Sequence, residues 1–196
     1  MERIDEVDWV LEAVVERLDI KEKVYADLLP HLKKTAILTS NTSGIPLADL
    51  SHSLTEDVKE RFMITHFFNP PRYMQLLELV RGEHTSDDTY DTMVAFGESV
   101  LGKGIVHAKD TPNFIGNRIG IFGMMKAVEL AIDQGLTVEE VDKLTGTISG
   151  RPKSATFRTA DIVGLDTLKS VSLTTHERLL RMRNVKCSGF LTFWIN

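Results

Sequence analysis

Short apolar runs of strand length alternate with segments of helical spacing along the first half of the chain. Strands are predicted over residues 7–15 and 36–39, and the runs "RFMITHFF", "LLELV" and "GIVHAKD" extend the pattern. Helices are predicted around Leu18, Val24 and Leu28, in a short segment ending at Leu50, and over residues 87–101. Strands that alternate with helices imply a largely parallel sheet covered on both faces. The predicted fold class of this half is therefore α/β.

The second half of the chain has a different pattern, which is helical throughout. The segment "DTPNFIGNRIGIFGMMKAVELAIDQG" predicts a long helix with Thr111 as N-cap, Pro112 at the first helical position and Gly135 as its end. A second helix follows, with a capping box formed by Thr137 and Glu140. A domain boundary is therefore expected between residues 108 and 111.

Composition excludes several classes of protein. The chain has 196 residues, of which 42% are hydrophobic and 26% charged, as in ordinary globular proteins. Its net charge of -5 gives no support to nucleic-acid binding. One cysteine, Cys187, excludes an internal disulfide and fits a reducing compartment. With no apolar run of membrane-spanning length and an acidic beginning unlike a signal peptide, the sequence predicts a soluble cytoplasmic protein.

The segment "THFFNPPRYMQLLELVRG" holds two ionisable residues in apolar surroundings. His66 falls at the carboxyl end of a predicted strand, where open α/β sheets bind their ligands. Glu78 lies within "QLLELV", where an unpaired charge is costly, and the turn at Asn69 would let it meet His66. A histidine held by a buried carboxylate is suited to general base catalysis. The alternative from spacing alone is a structural histidine and a solvated glutamate.

Other polar positions are weaker candidates. The cluster "SNTSGIP", which contains Ser43, follows a predicted strand and could serve a ligand or simply form a loop. Asn117 could face a site or bind a backbone group. Glu16 and Lys21 flank a strand-to-helix turn and could be an exposed ion pair. No histidine has metal-ligand spacing, so no metal site is predicted.

The blocks "EAVVERLDIK", "TSNTSGIPLADL", "HFFNPPRYMQLLELVRG", "GKGIVHAKDTPNFIGNRI" and "DIVGLDTL" together resemble the 3-hydroxyacyl-CoA dehydrogenases of fatty-acid β-oxidation. The resemblance implies an incomplete doubly wound, Rossmann-type sheet followed by an all-helical C-terminal domain. On this basis residues 1–108 are the C-terminal portion of an NAD-binding domain, residues 109–168 are the helical domain, and residues 169–196 are a divergent tail. The implied reaction is NAD-dependent oxidation of a 3-hydroxyacyl-CoA to a 3-oxoacyl-CoA.

The resemblance also implies roles for four catalytic residues. His66 matches the family's catalytic base, and Glu78 matches the carboxylate that orients it. Ser43 and Asn117 match polar residues around the reacting oxygen of the substrate.

The same resemblance assigns Glu16, Lys21, Ser43 and Asn69 to the lining of the NAD site. The helical domain is expected to form a homodimer and to close over the acyl-CoA. An alternative partner is a missing N-terminal half.

The sequence departs from the family in the glycine-rich turn that binds the cofactor pyrophosphate. The only G-x-G, Gly102 to Gly104, lies between a late helix and a strand. The family places that turn ahead of the strand that here begins near residue 7, so a truncated or split chain is expected. An alternative reading is an inactive remnant that acts as an acyl-CoA-binding or assembly module.

Overall fold

The computed structural model describes residues 4–166, 168, 169 and 171–173. Within them lie five strands: β1 (Trp9–Glu12), β2 (Ile37–Ser40), β3 (Phe62–Phe67), β4 (Leu76–Val80) and β5 (Gly104–Ala108). The same residues include the α-helices α1 (Leu18–Leu28), α2 (Leu47–Ser51), α3 (Glu56–Lys59), α4 (Asp87–Ser99), α5 (Gly116–Gln134), α6 (Val138–Thr145) and α7 (Phe157–Val163). The predicted order of strands and helices in the first half is confirmed.

The five strands form one mixed sheet in the order β1-β2-β3-β4-β5. β1, β2 and β3 are parallel, whereas β4 runs antiparallel to β3 and β5 runs parallel to β4. The reversal follows from the turn through residues 68–75, because a direct turn of this length joins antiparallel strands while parallel pairs need a longer crossover. The expectation of a largely parallel sheet therefore holds for the first three strands, and the last two run the opposite way.

The sheet is covered on both faces. Phe62 and Ile64 of β3 belong to a core cluster with Tyr25 of α1 and Leu50 of α2. The alternate residue Met63 belongs to a second cluster that includes Met93 of α4. Successive side chains of a strand point to opposite faces of the sheet, so one apolar strand packs against helices on both faces.

β1 is shorter than the predicted strand over residues 7–15. The backbone N–H of Val14 donates to Glu12 Oε1 at 2.7 Å, and the N–H of Arg17 donates to the carbonyl of Val15 at 2.8 Å. These bonds turn the chain away from the sheet directly after Glu12, so residues 13–15 lie outside the strand.

The predicted start of the long helix was wrong. α5 begins at Gly116 and not after Thr111, because Asn113 and Phe114 have φ values of 56° and 47° and therefore cannot continue a right-handed helix. The predicted end is confirmed, since Gly135 follows the last helical residue with a φ of 63°.

The chain divides into two compact units, Met1–Ile115 and Gly116–Asn196. The first unit contains the sheet. In the second, Ile121 and Met125 of α5 pack with Ala160 of α7 in a core of their own. The predicted capping box of α6 is confirmed, with Thr137 and Glu140 each accepting a backbone N–H from the other. Most of the predicted tail, residues 169–196, lies outside the described residues.

Candidate active site

The candidate site lies where the three parallel strands end. β1 ends at Glu12, β2 at Ser40 and β3 at Phe67, and these three carboxyl ends lie side by side at the same end of the sheet. Open α/β sheets bind ligands outside the carboxyl ends of their strands. The fold brings three of the predicted residues to this end of the sheet, because His66, Ser43 and Glu16 lie on or shortly after the strand ends.

His66 and Glu78 form the predicted pair. They lie directly opposite each other on the antiparallel strands β3 and β4, and Nδ1 of His66 is 2.8 Å from Oε2 of Glu78. The side chain of Glu78 is fully buried and that of His66 is 7% exposed. The turn through Asn69 provides the strand reversal that the pairing requires.

Both oxygens of Glu78 have defined partners. Oε2 meets His66, and Oε1 accepts the backbone N–H of Ile115 at 2.9 Å. Hydrogen bonds to a carboxylate favour its charged form. An ionised carboxylate can only accept, so in a neutral imidazole of His66 the proton is on Nδ1 and the lone pair is on Nε2. This tautomer is the one that a general base acting through Nε2 requires.

Two aromatic rings flank the imidazole of His66. The ring of Phe68 lies 4.7 Å from it at 61°, and the ring of Phe114 lies 5.4 Å away at 60°. Both contacts have the edge-to-face geometry that aromatic rings prefer. These apolar neighbours limit the access of water to the pair.

Glu16 holds the loop that follows β2. Its Oε1 accepts from the hydroxyl of Thr42 at 2.5 Å and from the backbone N–H groups of Ser43 and Gly44 at 3.1 and 2.8 Å. Burial raises the pKa of Glu16, but the hydrogen bonds from Thr42 and Gly44, the charge of Lys21 and the bond from Ser43 outweigh it. The pKa of Glu16 therefore lies below its usual value. Ser43 is thus tied to Glu16 through its backbone.

Lys21 is buried and not part of an exposed ion pair. Its Nζ lies 2.8 Å from Glu12 Oε1, 3.4 Å from Glu16 Oε2 and 3.3 Å from the carbonyl of Val14. Glu12 Oε2 also accepts from the hydroxyls of Tyr25 at 2.9 Å and Ser40 at 2.7 Å. Burial, followed by the charge of Glu12, raises the pKa of Tyr25.

Glu12 is a residue that sequence reasoning missed. Its position in the apolar run "DWVLEAV" was a usable signal, because a charge among strand residues needs a partner. The partner Lys21 is nine residues away, however, and only the turn after β1 brings the two together.

The remaining predicted residues have different positions. Asn69 is exposed in the turn after β3. Asn117 belongs to α5 and thus to the second unit. Asn41, which was not predicted, links the ends of β2 and β3 because its Oδ1 accepts the backbone N–H of Phe67 at 2.9 Å. Among the described residues, no cluster of three or more His, Cys, Asp or Glu could hold a metal ion.

A doubly covered α/β sheet with polar groups at the carboxyl ends of its strands is an architecture that dinucleotide-dependent oxidoreductases use. The family model "3-hydroxyacyl-CoA dehydrogenase, NAD binding domain" matches residues 1–111. The model "3-hydroxyacyl-CoA dehydrogenase, C-terminal domain" matches residues 114–189 and so extends into the predicted tail. The chain belongs to the 3-hydroxyacyl-CoA dehydrogenase family, which consists of NAD-dependent oxidoreductases.

Curated relatives agree with this assignment. A probable 3-hydroxyacyl-CoA dehydrogenase of Bacillus subtilis is 49% identical over 177 residues, which make up 90% of this chain and 22% of that protein. A probable 3-hydroxyacyl-CoA dehydrogenase of Deinococcus radiodurans is 45% identical over 172 residues, which make up 88% of this chain and 50% of that protein. The chain thus spans half or less of the length of these two relatives.

Solved structures show the same fold. FadB2 of Mycobacterium tuberculosis superimposes with a TM-score of 0.81 and 32% identity, over 89% of this chain and 60% of that one. The (S)-3-hydroxybutyryl-CoA dehydrogenase PaaH1 of Ralstonia eutropha gives a TM-score of 0.79 and 31% identity, over 90% of this chain and 61% of that one. The predicted fold class, a Rossmann-type sheet followed by a helical region, is confirmed.

Proposed function

We propose that this chain carries out the NAD-dependent oxidation of a 3-hydroxyacyl-CoA to a 3-oxoacyl-CoA, with His66 as the base. The observation that carries the proposal is the 2.8 Å contact between Nδ1 of His66 and Oε2 of Glu78 at the carboxyl end of β3. The membership of the chain in the dehydrogenase family supports the choice of substrate and reaction.

The proton in this reaction moves to His66. Nε2 takes the proton of the C3 hydroxyl as the C3–O bond becomes a carbonyl. Glu78 stabilises the imidazolium that results, and its bond to Nδ1 keeps the ring in the productive orientation. In the reverse direction the same imidazolium returns the proton to the C3 oxygen.

Ser43 and Asn117 are proposed to bind the reacting oxygen of the substrate. The hydroxyl of Ser43 belongs to a loop that Glu16 holds through the backbone of Ser43 and Gly44. A fixed donor contributes more to polarising a carbonyl than one that must first be ordered. The role of Asn117 rests on the resemblance of "NFIGNRIG" to the family.

Bound at this site, NAD would supply the hydride acceptor for C3. Glu16, Ser43 and Asn69 are at or beside the strand ends, and we propose that they hold the reactive end of the cofactor. Lys21 is proposed to act through Glu16, because its buried ammonium is bound to Glu12, Glu16 and a backbone carbonyl. We propose that Glu16, Ser43 and Asn69 serve the nicotinamide end; the sequence contains no G-x-G-x-x-G turn for the pyrophosphate.

The test is turnover of acetoacetyl-CoA by the purified 196-residue chain at millimolar NADH. Loss of NADH absorbance that depends on both reactants supports the proposed activity. No turnover, combined with retained binding of acetoacetyl-CoA, would favour the alternative of an acyl-CoA-binding module.

The helical unit is proposed to form the interface of a homodimer. Several large apolar side chains of that unit are more than 60% exposed. They are Ile119, Phe122, Ile132, Ile148 and Ile162. Light scattering should give twice the mass of one chain, and Phe122→Asp should shift the sample toward monomer.

Location in the cytoplasm stays a prediction from the sequence. Among the described residues, no helix is both long and apolar enough to cross a membrane.

A further inference from the structure

The turn formed by residues 113–115 ends the first unit with an unusual backbone. Asn113 and Phe114 both have φ in the left-handed region, at 56° and 47°. Asparagine tolerates this region, whereas a bulky residue such as phenylalanine rarely adopts it. Such conformations persist only where the surroundings hold them, and they cluster at functional sites.

The side chain of Phe114 is held by the core of the first unit. It is 2% exposed and packs in the same cluster as Ile64 of β3 and Val80 of β4. The imidazole of His66 is not a member of this cluster, but it lies 5.4 Å from the ring of Phe114. Phe114 therefore connects the core of the sheet to the base.

The backbone of the same turn contacts the partner of the base. The N–H of Ile115 donates to Oε1 of Glu78 at 2.9 Å, while Oε2 of Glu78 meets His66. In this turn the left-handed residue Phe114 buries its ring beside His66, and the N–H of the next residue, Ile115, reaches the carboxylate of Glu78. One turn thus touches both members of the pair.

We propose that residues 113–115 are a positioning element for the catalytic pair. Phe114 restricts the imidazole of His66 and excludes water from it, and the Ile115 amide fixes the second oxygen of Glu78. The proposal rests on the assignment of His66 as the base. It assigns no chemical step to the turn, which acts only through His66 and Glu78.

NMR measurement of how fast individual protons of the full chain exchange with water tests this proposal. In chain labelled with ¹⁵N, exchange with water is measured for the Nδ1 proton of His66 and the amide proton of Ile115. The amide proton of Leu38, which donates to the Arg61 carbonyl in the sheet, reports global opening. Phe114→Ala should speed exchange at His66 and Ile115 by about tenfold relative to Leu38, since local opening is faster than global unfolding.

Two further variants complete the design. Phe114→Leu keeps apolar volume without the aromatic edge and should give an intermediate increase; it decides the question if Phe114→Ala does not fold. Val100→Ala removes an exposed apolar side chain at the end of α4 and should leave all three rates unchanged. The proposal would be overturned if the folded Phe114 variants kept the wild-type ratio of the exchange rates at His66 and Ile115 to the exchange rate at Leu38.

This experiment is independent of the proposed activity. A wild-type chain without turnover would count against the activity and leave the exchange rates interpretable. Normal turnover with unchanged exchange ratios would count against the positioning role alone.

Discussion

The carboxylate of Glu12 lies 2.8 Å from the ammonium of Lys21, and each of the two side chains is only 1% exposed. The hydroxyls of Tyr25 and Ser40 donate to the same carboxylate. A buried ion pair is costly to break because removal of one partner leaves the other charge without compensation. Lys21 also lies 3.4 Å from Oε2 of Glu16, and Glu16 binds the backbone of the loop that carries Ser43, so the pair supports that loop.

Breaking this pair should destabilise the first unit strongly. Glu12→Gln is expected to lower the free energy of unfolding by about 3 kcal/mol, because the Lys21 charge loses its buried counterion. Lys21→Met should cost a similar amount. The double variant should cost clearly less than the sum of the two, since it leaves no unpaired charge. Urea denaturation of the four proteins gives the comparison.

An exposed pair provides the control for this cycle. Arg17 and Asp19 lie 2.6 Å apart on the surface, with side chains 66% and 64% exposed. Asp19→Asn should leave the urea midpoint almost unchanged. Strict additivity in the Glu12/Lys21 cycle would mean that the two residues do not interact in solution.

The low pKa of Glu16 predicts how its contribution to stability depends on pH. A carboxyl group whose pKa is lower in the folded state stabilises the protein above the usual carboxyl range, and this stabilisation is lost as the pH falls through the folded-state pKa. Thr42→Val removes a hydrogen bond to Glu16 and should raise its pKa toward the usual value. A ¹³C NMR titration of the Glu16 carboxyl measures this change.

The matched variant for this titration is Thr42→Ser, which retains the hydroxyl. It should titrate as the wild type does. The stability difference between wild type and Thr42→Val should be largest near neutral pH and shrink in acid. An unchanged Glu16 titration in Thr42→Val would refute the role given to this hydrogen bond.

The capping box of α6 predicts a smaller effect in the second unit. Thr137 accepts the N–H of Glu140 at 3.3 Å, and Glu140 accepts the N–H of Thr137 at 2.8 Å. Thr137→Ala should lower the free energy of unfolding by about 1 kcal/mol, whereas Thr137→Ser should be nearly neutral. Equal denaturation curves for the alanine and serine variants would show that the cap contributes nothing.

Binding of NAD to the isolated chain is expected to be weak. We propose that residues at the strand ends hold the nicotinamide end, but the sequence contains no G-x-G-x-x-G turn for the pyrophosphate, where helix N-termini supply much of the binding. Calorimetric titration should give a dissociation constant in the millimolar range. A micromolar constant would mean that other residues of this chain bind the pyrophosphate.

The pairing of His66 with Glu78 could be predicted because all of its determinants are local. The strand lengths, the Asn69 turn and the charge within "QLLELV" together favour a pairing of the two strands at these residues, although spacing alone also allowed a solvated glutamate. The capping box of α6 was predictable for the same reason, since its two residues are three positions apart.

The features that were missed depend on tertiary contacts. Phe114 adopts a left-handed conformation that its residue type disfavours, while its ring packs in the core and the N–H of the next residue, Ile115, binds Glu78. Propensity alone therefore placed the start of α5 several residues too early. Lysine is usually a surface residue. Lys21 is buried because its ammonium forms an ion pair with the carboxylate of Glu12, which lies on a strand.

The most direct test of the central claim is the turnover of acetoacetyl-CoA with saturating NADH by wild type and by His66→Gln. If His66 is the base, the wild-type chain turns over substrate and His66→Gln loses at least about a hundredfold in kcat, as expected for removal of a general acid–base group. His52→Gln, which changes an exposed histidine at the end of α2, should retain the wild-type rate. A near-normal rate in His66→Gln would contradict the assignment of the base.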